Sequence, residues 1–210
     1  MNNRFYIDIE TGPLDAPFLD AMKPEFVANR TLKDPEKIKA DLAAKEAAWR
    51  DGAALDAMTG RVLCIGVERS GDFTYFEGDE NLMLEKFWTL TDELFTNATG
   101  DQLIGFNIFG FDLPFLVRRS WHLSVVVPRW VRPIGKRWSE TFIDLMDCWR
   151  MGNREDMASL DAIGRHIGLA PKRGSGKDFA DLYTSNRDAA IQYLSADLER
   201  TKKLAERMIP

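Results

Sequence analysis

The sequence reads RFYIDIE over residues 4–10, an apolar and β-branched run that carries two acids. Because successive residues of a strand face opposite sides of a sheet, Asp8 and Glu10 share one face and the two isoleucines share the other. The pattern predicts a strand that is stopped by the Thr-Gly-Pro run at 11–13.

Two acids on one face of an apolar strand have two explanations. Unpaired buried carboxylates cost several kcal/mol, so Asp8 and Glu10 either lie at a solvent-exposed strand end or bind something positive. Hard oxygen ligands are what Mg²⁺ and Mn²⁺ prefer, so the second explanation predicts a divalent-cation site.

Hydrophobic periodicity extends the prediction along the chain. Further strands are predicted at Val62–Glu68, Asp72–Glu77, Gln102–Phe106 and Thr141–Leu145, and helices at 35–50, Asn81–Phe95, about 112–121, about 157–167 and about 187–208. Residues 14–60 are interpreted as a helical insertion whose helix starts at Asp34-Pro35 and stops at Gly52. This order predicts a single α/β domain over 1–210, with a mixed sheet covered by helices.

The composition excludes several classes of protein. Hydrophobic residues make up 45% and charged residues 29%, with a net charge of −5, as in a soluble globular protein. The longest aliphatic run, Val125–Val127, is far too short for a membrane span, and Met1–Asp8 lacks the features of a signal peptide. Cys64 and Cys148 match no zinc or disulfide spacing, so reduced thiols in a cytoplasmic protein are expected. The acidic balance restricts nucleic-acid binding to local patches.

Two further acids lie next to apolar surroundings. Asp112 follows an apolar segment where a strand exit turns into a helix, a position that an N-cap would also explain. In the last helix Tyr193 and Asp197 are four residues apart and lie one above the other, with Asp197 at the edge of the apolar face. A surface acid at that edge is the alternative. Without a site, the exposed strand end, the N-cap and the surface acid would all have to be correct at once. The sequence therefore favours one site that these acids share.

The order of these acids resembles the three exonuclease motifs of the DEDD superfamily, in its tyrosine type. The matching motifs are Asp8-Ile9-Glu10-Thr11, Asn107-x3-Phe111-Asp112 and Tyr193-x3-Asp197. The chain is similar to the stand-alone predicted 3′–5′ exonucleases related to the proofreading domain of family B DNA polymerases. The resemblance implies a ribonuclease H-like fold, with a mixed five-stranded sheet flanked by helices and its first three strands antiparallel at one edge.

Other positions agree with the tyrosine type. Leu55-Asp56-x3-Gly60-Arg61-Val62-x2-Ile65-Gly66 and Asp144-Leu145-Met146-Asp147 also fit the stand-alone group. The histidine type needs a histidine at position 192, which is glutamine here. His122 and His166 are therefore expected to be packing or surface residues.

The resemblance also implies roles for the individual residues. Asp8 would bridge two divalent cations, Mg²⁺ or Mn²⁺, with Glu10 and Asp197 completing the shell of the first ion and Asp112 holding the second. Tyr193 would orient the attacking water, since a phenol with a pKa of about 10 is a poor general base. The residues that would contact the terminal nucleotide are Thr11, Asn107 and Phe111.

A basic segment between Asp112 and Asp144 offers one way to hold nucleic acid. Its bases and tryptophans suit phosphate contact and base stacking, although a solvated loop with its tryptophans tucked beneath it is the alternative. The residues are Arg118, Arg119, Arg129, Arg132, Lys136, Arg137, Trp130 and Trp138. A second basic stretch, Lys172–Lys177, lacks the spacing of a phosphate loop and is expected to be a mobile loop near the substrate.

The sequence therefore predicts a metal-dependent 3′–5′ exonuclease that acts on a free 3′ end of single-stranded nucleic acid, with DNA favoured. An RNA-trimming exonuclease would use the same residues. A non-catalytic module that binds 3′ ends or recruits partners would be expected to lose at least one acid. By resemblance, a polymerase or other replication and repair proteins are candidate partners, and no membrane partner is expected.

Overall fold

The computed structural model describes residues 4–97, 101–131 and 141–209. The strands are β1 (Arg4–Pro13), β2 (Gly60–Arg69), β3 (Asp72–Glu77), β4 (Gln102–Gly105) and β5 (Phe142–Asp144). The helices are α1 (Ala16–Ala21), α2 (Pro35–Asp51), α3 (Glu80–Asn97), α4 (Asp112–His122), α5 (Leu145–Arg150), α6 (Leu160–His166), α7 (Phe179–Ser185) and α8 (Arg187–Met208). Short 3₁₀ turns cover Ala53–Leu55 and Gly176–Asp178.

The five strands form one mixed sheet in the order β3-β2-β1-β4-β5. The first three strands are antiparallel neighbours, and β4 and β5 continue the sheet in parallel with β1. This is a ribonuclease H-like α/β fold, as predicted, including the antiparallel edge. The β2–β3 pairing follows from the chain order, because strands joined by a tight turn pair with each other. The β1–β2 pairing instead brings together strands separated by the 14–59 segment.

The alternation of side chains along β1 divides the core between the two faces of the sheet. Ile7 and Ile9 pack in one cluster with residues of α3 and α4. Tyr6, on the opposite face, packs in a second cluster with Leu198 and Leu204 of α8. Asp8 and Glu10 share the face of Tyr6, so β1 presents both acids towards the final helix.

A glycine controls how closely α8 approaches that face. Gly66 of β2 pairs directly with Asp8. A Cβ atom added at Gly66 would lie 2.6 Å from Leu198 and 3.0 Å from Leu194 of α8. Any larger residue would push the helix away, so Gly66 allows the side chains of α8 to reach the acids of β1.

β1 ends at Pro13, the last residue of the run predicted to stop it, so the strand is three residues longer than the sequence indicates. The strand continues to Pro13 because a register shift between Glu10 and Thr11 lets the chain pair onward, with Pro13 opposite Gly60. A bulge of this kind bends the strand without ending it, and a proline is tolerated at a strand end where its missing N–H is not needed.

The predicted helices match the structure where their apolar pattern spans several turns. The structure adds α1, α5 and α7, which are six or seven residues long and too short to display a period. The helix predicted over 157–167 begins later, at Leu160, because Ser159 caps it through the Ala162 N–H. In the described part of the chain no helix is long and apolar enough to cross a membrane.

Candidate active site

Three carboxylates from two distant parts of the sequence meet above the sheet. Asp8 and Glu10 extend from β1 and Asp197 from α8, and each offers an oxygen within 4.8 Å of the others. Glu10 and Asp197 are buried, and Asp8 is partly buried. The solvent-exposed explanations for these acids are therefore wrong.

Burial and mutual repulsion make these carboxylates hard to ionise in the metal-free protein. Burial, followed by the charges of Glu10, Asp112 and Asp197, raises the pKa of Asp8 well above its usual range. Burial and then the charge of Asp197 raise the pKa of Glu10 to about 8. A cation placed among these groups would remove the repulsion, so the cluster has the electrostatics of a cation site.

Asp112 supplies a fourth carboxylate at the start of α4. Its Oδ1 accepts a hydrogen bond from the backbone N–H of Ile9 at 3.1 Å, which ties the helix to β1 beside Asp8. Burial raises the pKa of Asp112 to about 7, although hydrogen bonds from its own N–H and that of Ile9 oppose the rise. The N-cap position belongs to Phe111, so the capping explanation for Asp112 is wrong.

Tyr193 completes the set of five residues that the sequence indicated. Its hydroxyl is buried close to the Asp197 carboxylate but makes no hydrogen bond of good geometry among the described residues. Burial, followed by the negative charges of Asp197, Glu10 and Asp8, raises the pKa of this phenol, so it stays protonated. The ring packs against Phe179 of α7, with centroids 5.9 Å apart, and this contact fixes the hydroxyl beside the acids.

Lys172 is a member of the site that sequence reasoning missed. Its Nζ lies 2.5 Å from Asp197 Oδ2 and 4.7 Å from the centre of the Tyr193 ring. Its backbone N–H donates to Asp161 Oδ1 at 2.6 Å, which anchors the loop to α6. A Cβ atom added at Gly176 would lie 3.9 Å from Glu10 Oε2. The sequence placed the 172–177 loop near the substrate, but no spacing rule linked it to these acids.

Asp144 is a second residue whose role the sequence did not reveal. Its carboxylate accepts three backbone hydrogen bonds, from Asn107 at 2.8 Å, Phe109 at 3.0 Å and Met146 at 2.9 Å. Asn107 adopts a left-handed backbone with φ of 61°. The order of the strands could have revealed this contact, because β4 and β5 pair in parallel and place Asp144 opposite Gly105, two residues before Asn107. Asp144 therefore holds the loop that leads into Asp112.

The three residues predicted to contact a nucleotide lie on the strand that carries Glu10 and on the loop that leads into Asp112. Thr11 follows Glu10, and its hydroxyl donates to the Ala54 carbonyl at 2.7 Å, which links the site to the 14–60 segment. Phe111 precedes Asp112, and its ring lies 5.4 Å from that of Phe115. Asn107 begins the loop that Asp144 holds. Their contact with a nucleotide stays a prediction.

The basic segment separates into different environments. Arg119 is buried and paired with Glu80, so it is not available to a phosphate. Trp130 packs against Trp88 and Phe142, so the tucked-under alternative is correct for this tryptophan. Arg118 and Arg129 are exposed. The other predicted members, Arg132, Lys136, Arg137 and Trp138, lie outside the described residues.

Both histidines are surface residues, as expected. His122 lies at the exposed end of α4, and the exposed His166 packs edge-on to Trp149 with ring centroids 5.5 Å apart.

Comparison with known proteins agrees with this geometry. Residues 62–201 match a family described as "Predicted 3'-5' exonuclease related to the exonuclease domain of PolB". No curated protein sequence matches the chain. Among solved structures, the family B DNA polymerase of the hyperthermophilic archaeon Pyrobaculum calidifontis is similar, with a TM-score of 0.67 and 18% identity. The likeness covers all of this chain and 25% of the polymerase chain, so the protein spans about a quarter of the length of that relative.

Proposed function

The chain belongs to the family of predicted 3′–5′ exonucleases related to the exonuclease domain of PolB, and from this premise we propose that it hydrolyses phosphodiester bonds at the 3′ ends of single-stranded nucleic acid. DNA is the substrate we favour. The observation that carries the proposal is the convergence of Asp8, Glu10, Asp197 and Tyr193 from β1 and α8, with Asp112 held beside them.

The donor set suits divalent cations. Three carboxylates within 4.8 Å offer hard oxygen ligands without a nitrogen or sulfur donor, which fits Mg²⁺ or Mn²⁺. Asp8, Glu10 and Asp197 would hold one ion, and Asp8 with Asp112 would hold a second. When bound, two such ions stabilise the attacking and leaving oxygens of an in-line displacement.

The chain's own residues position the reactants. Tyr193 stays protonated, so its hydroxyl, which lies beside Asp197 without a hydrogen bond of good geometry, can hold a water molecule by donating or accepting a hydrogen bond. We propose that Thr11, Asn107 and Phe111 hold the terminal nucleotide, because each adjoins one of the acids in the sequence or lies on the loop that leads to Asp112. Water attacks the phosphorus, the bond to the preceding 3′ oxygen breaks, and a nucleoside 5′-monophosphate leaves. The water proton passes to solvent, and the new 3′ hydroxyl takes up a proton.

We also propose partner proteins, a cellular compartment and a domain organisation for the chain. Relationship to a polymerase exonuclease domain supports service to a polymerase or to other replication and repair proteins. Cys64 and Cys148 are free thiols, as expected of a protein in a reducing cytoplasm. The residues 1–210 are proposed to act as one exonuclease domain, with 14–60 as an insertion that supports the site through the Thr11–Ala54 hydrogen bond.

An assay with a 5′-labelled oligonucleotide tests the proposed function. Single-stranded DNA, duplex DNA and RNA are incubated with Mg²⁺ or Mn²⁺ and the wild type, with Asp8→Ala, and with Asp51→Ala. Asp51 is an exposed acid at the end of α2 and serves as a matched control. We expect progressive shortening of the single-stranded DNA by the wild type and by the control variant only.

Three results would revise or overturn the proposal. Intact label with the wild type in both metals would exclude the exonuclease. Equal shortening by Asp8→Ala would show that the activity belongs to a contaminant. Faster shortening of RNA than of DNA would replace the DNA preference with RNA trimming.

A further inference from the structure

The outer face of α4 carries a line of side chains that begins at the candidate active site. Phe111 comes immediately before the helix, and Arg118, Trp121 and His122 follow at helical spacing. We call these four residues the α4 outer face. At a rise of about 1.5 Å per residue, the line extends for about 16 Å from the Asp112 end of the helix.

Phe111 is half-buried and packs against Phe115, whereas the other three residues of the α4 outer face are open to solvent. Trp121 is 70% exposed, although tryptophan is usually one of the most buried residues. Arg118 and His122 are exposed as well. In the described part of the chain, the side chains of Arg118, Trp121 and His122 have no hydrogen bond, ion pair or ring contact. The helix is held in the core by its other face, so these residues are not needed for packing.

Two consecutive arginines of α4 have different roles: one is buried in an ion pair, and the other is exposed to solvent. Arg119 is 3% exposed and forms a two-pronged ion pair with Glu80. Arg118, about 100° further around the helix, is exposed and has no ion pair in the described structure. The acids that line the cavity beside it have other partners: Glu80 pairs with Arg119, Asp15 pairs with Arg61, and Asp79 accepts from the Leu82 N–H. The α4 outer face therefore presents an unpaired arginine beside an exposed indole.

We propose that the α4 outer face binds the single strand upstream of its 3′ terminal nucleotide, with Trp121 stacking on a base and Arg118 contacting a phosphate. This inference rests on the proposed function, because the strand is placed by its 3′ end at the acids beside Phe111. The length of about 16 Å corresponds to about five nucleotides at the duplex rise of about 3.4 Å, and to fewer in an extended strand. An aromatic platform next to a free cation is the usual means of binding single strands without sequence preference.

A protein segment is the competing occupant. A cavity of about 880 Å³ borders the C-terminal half of α4, and its lining includes Phe18 and Met58 together with Arg118 and His122. Nucleic acid is favoured because the line of side chains is continuous with Asp112, and because the unpaired Arg118 matches a phosphate. Salt dependence separates the two occupants, since each phosphate contact releases counterions.

The test uses oligodeoxynucleotides of two to ten nucleotides and two independent readouts. One is KM for cleavage with Mg²⁺ or Mn²⁺, and the other is the fluorescence anisotropy of labelled strands in chelator, where no cleavage occurs. For the wild type, KM and Kd should fall as the strand lengthens past the terminal nucleotides. In Trp121→Ala, Kd for the ten-nucleotide strand should rise by about 5- to 150-fold, the range measured for loss of one stacked base.

Three further variants refine the assignment. Trp121→Phe keeps an aromatic platform and should retain most of the affinity. Arg118→Ala should reduce the slope of log Kd against log salt concentration by about 0.7, the value for one phosphate on a single strand. Arg154→Ala, an exposed arginine with no ion pair in the described structure, is the matched control and should leave both readouts unchanged.

The outcomes distinguish this inference from the proposed function. A wild type that cleaves strands of every length with the same KM, or that binds no better than Trp121→Ala in chelator, would overturn the α4 assignment and leave the exonuclease intact. A wild type that cleaves nothing would overturn the exonuclease, and the binding readout would still decide on the α4 outer face. Loss of affinity in Arg118→Ala without a change in salt slope would overturn the phosphate contact. Unchanged oligonucleotide affinity in both Trp121→Ala and Arg118→Ala would overturn the nucleic-acid assignment and favour a protein occupant.

Discussion

Two clusters of charge are buried in this molecule, and they are built on opposite principles. In the first, Arg119 Nε and Nη2 donate to the two oxygens of Glu80 at 2.9 and 2.7 Å. Glu80 also accepts from the Val62 N–H at 2.8 Å, and Arg119 Nη1 donates to the Ala57 carbonyl at 3.3 Å. Every charge in this cluster has a partner, so it can serve the fold alone.

The second cluster gathers Asp8, Glu10, Asp112 and Asp197, and Lys172 is the cation paired with it. Among the described residues its four carboxylates outnumber the cations that act on them. Burial and this mutual repulsion together raise the pKa of Asp8 and Glu10. The comparison teaches that burial alone does not mark a functional site. A buried cluster whose charges the protein does not balance is a candidate site for a charged ligand.

The largest expected effect comes from breaking the unbalanced cluster. Asp8→Asn should lower the rate of 3′-end hydrolysis by about 1,000-fold or more, because it removes the carboxylate shared by both proposed ions, whose stabilisation of the transition state is several kcal/mol. The free energy of unfolding without metal should not fall, since one repelling charge is lost. Single-turnover assays and urea denaturation in chelator measure the two quantities. A stability loss parallel to the activity loss would make Asp8 a structural acid.

Breaking the balanced cluster should have the opposite pattern. Arg119→Met leaves Glu80 buried without a counter-charge and should lower the free energy of unfolding by about 3–5 kcal/mol. The rate per folded molecule should stay unchanged. Urea denaturation measures the effect, with Arg118→Met as the control at the exposed neighbouring position. A loss below about 1 kcal/mol would show that the pair contributes no more than a surface ion pair.

Metal ions should act on one cluster only. Mn²⁺ at about 100 times its Kd should raise the free energy of unfolding of the wild type by about 2.7 kcal/mol, with no such rise in Asp8→Asn. Chelation should therefore abolish activity while lowering stability modestly, because the hydrophobic core remains. Melting curves with and without chelator measure this. Global unfolding on chelation would show instead that the metal holds the fold together.

Asp144 resembles neither cluster fully. It is a buried carboxylate without an ion pair among the described residues, and backbone N–H groups stabilise its charge. Asp144→Asn keeps one acceptor oxygen but loses the charge, and should lower the free energy of unfolding by about 2 kcal/mol. The value of kcat should fall about tenfold, because the loop from Asn107 to Asp112 loses its anchor. Measuring kcat and KM separately checks the assignment. A stability loss with kcat unchanged would limit Asp144 to the fold.

The smallest effect should follow the loss of the cation in the acid cluster. Lys172→Met removes the partner of Asp197 and should lower metal-free stability by about 1 kcal/mol or less, since this ion pair is partly exposed. Mn²⁺ should then bind more tightly, because Lys172 no longer competes for Asp197. Calorimetric titration with Mn²⁺ decides the point. Weaker Mn²⁺ binding would show that Lys172 orders the site and does not compete with the metal.

The parts of the fold that the sequence predicts are those with long periodic patterns. The alternation of residues 4–10 placed Asp8 and Glu10 on one face, and the spacing in the last helix placed Tyr193 above Asp197. Such patterns depend only on local geometry. Their meeting at one point depends on the approach of α8 to Gly66, which no local pattern encodes.

The residues that sequence reasoning missed depend on tertiary contacts. Lys172 reaches Asp197 through a loop whose course is set by Asp161, and Asp144 reaches Asn107 only because β4 and β5 are neighbours. The bulge that carries β1 beyond Glu10 is likewise decided by pairing with β2 and not by the Thr-Gly-Pro run. In each case a partner far along the chain overrides a local signal.

Anomalous diffraction from crystals soaked in Mn²⁺ tests the central claim most directly. Two manganese peaks are expected, one bound by Asp8, Glu10 and Asp197 and one by Asp8 and Asp112, with none beside Glu80. Wild-type crystals without a peak among these acids, at Mn²⁺ concentrations that support activity, would contradict that claim.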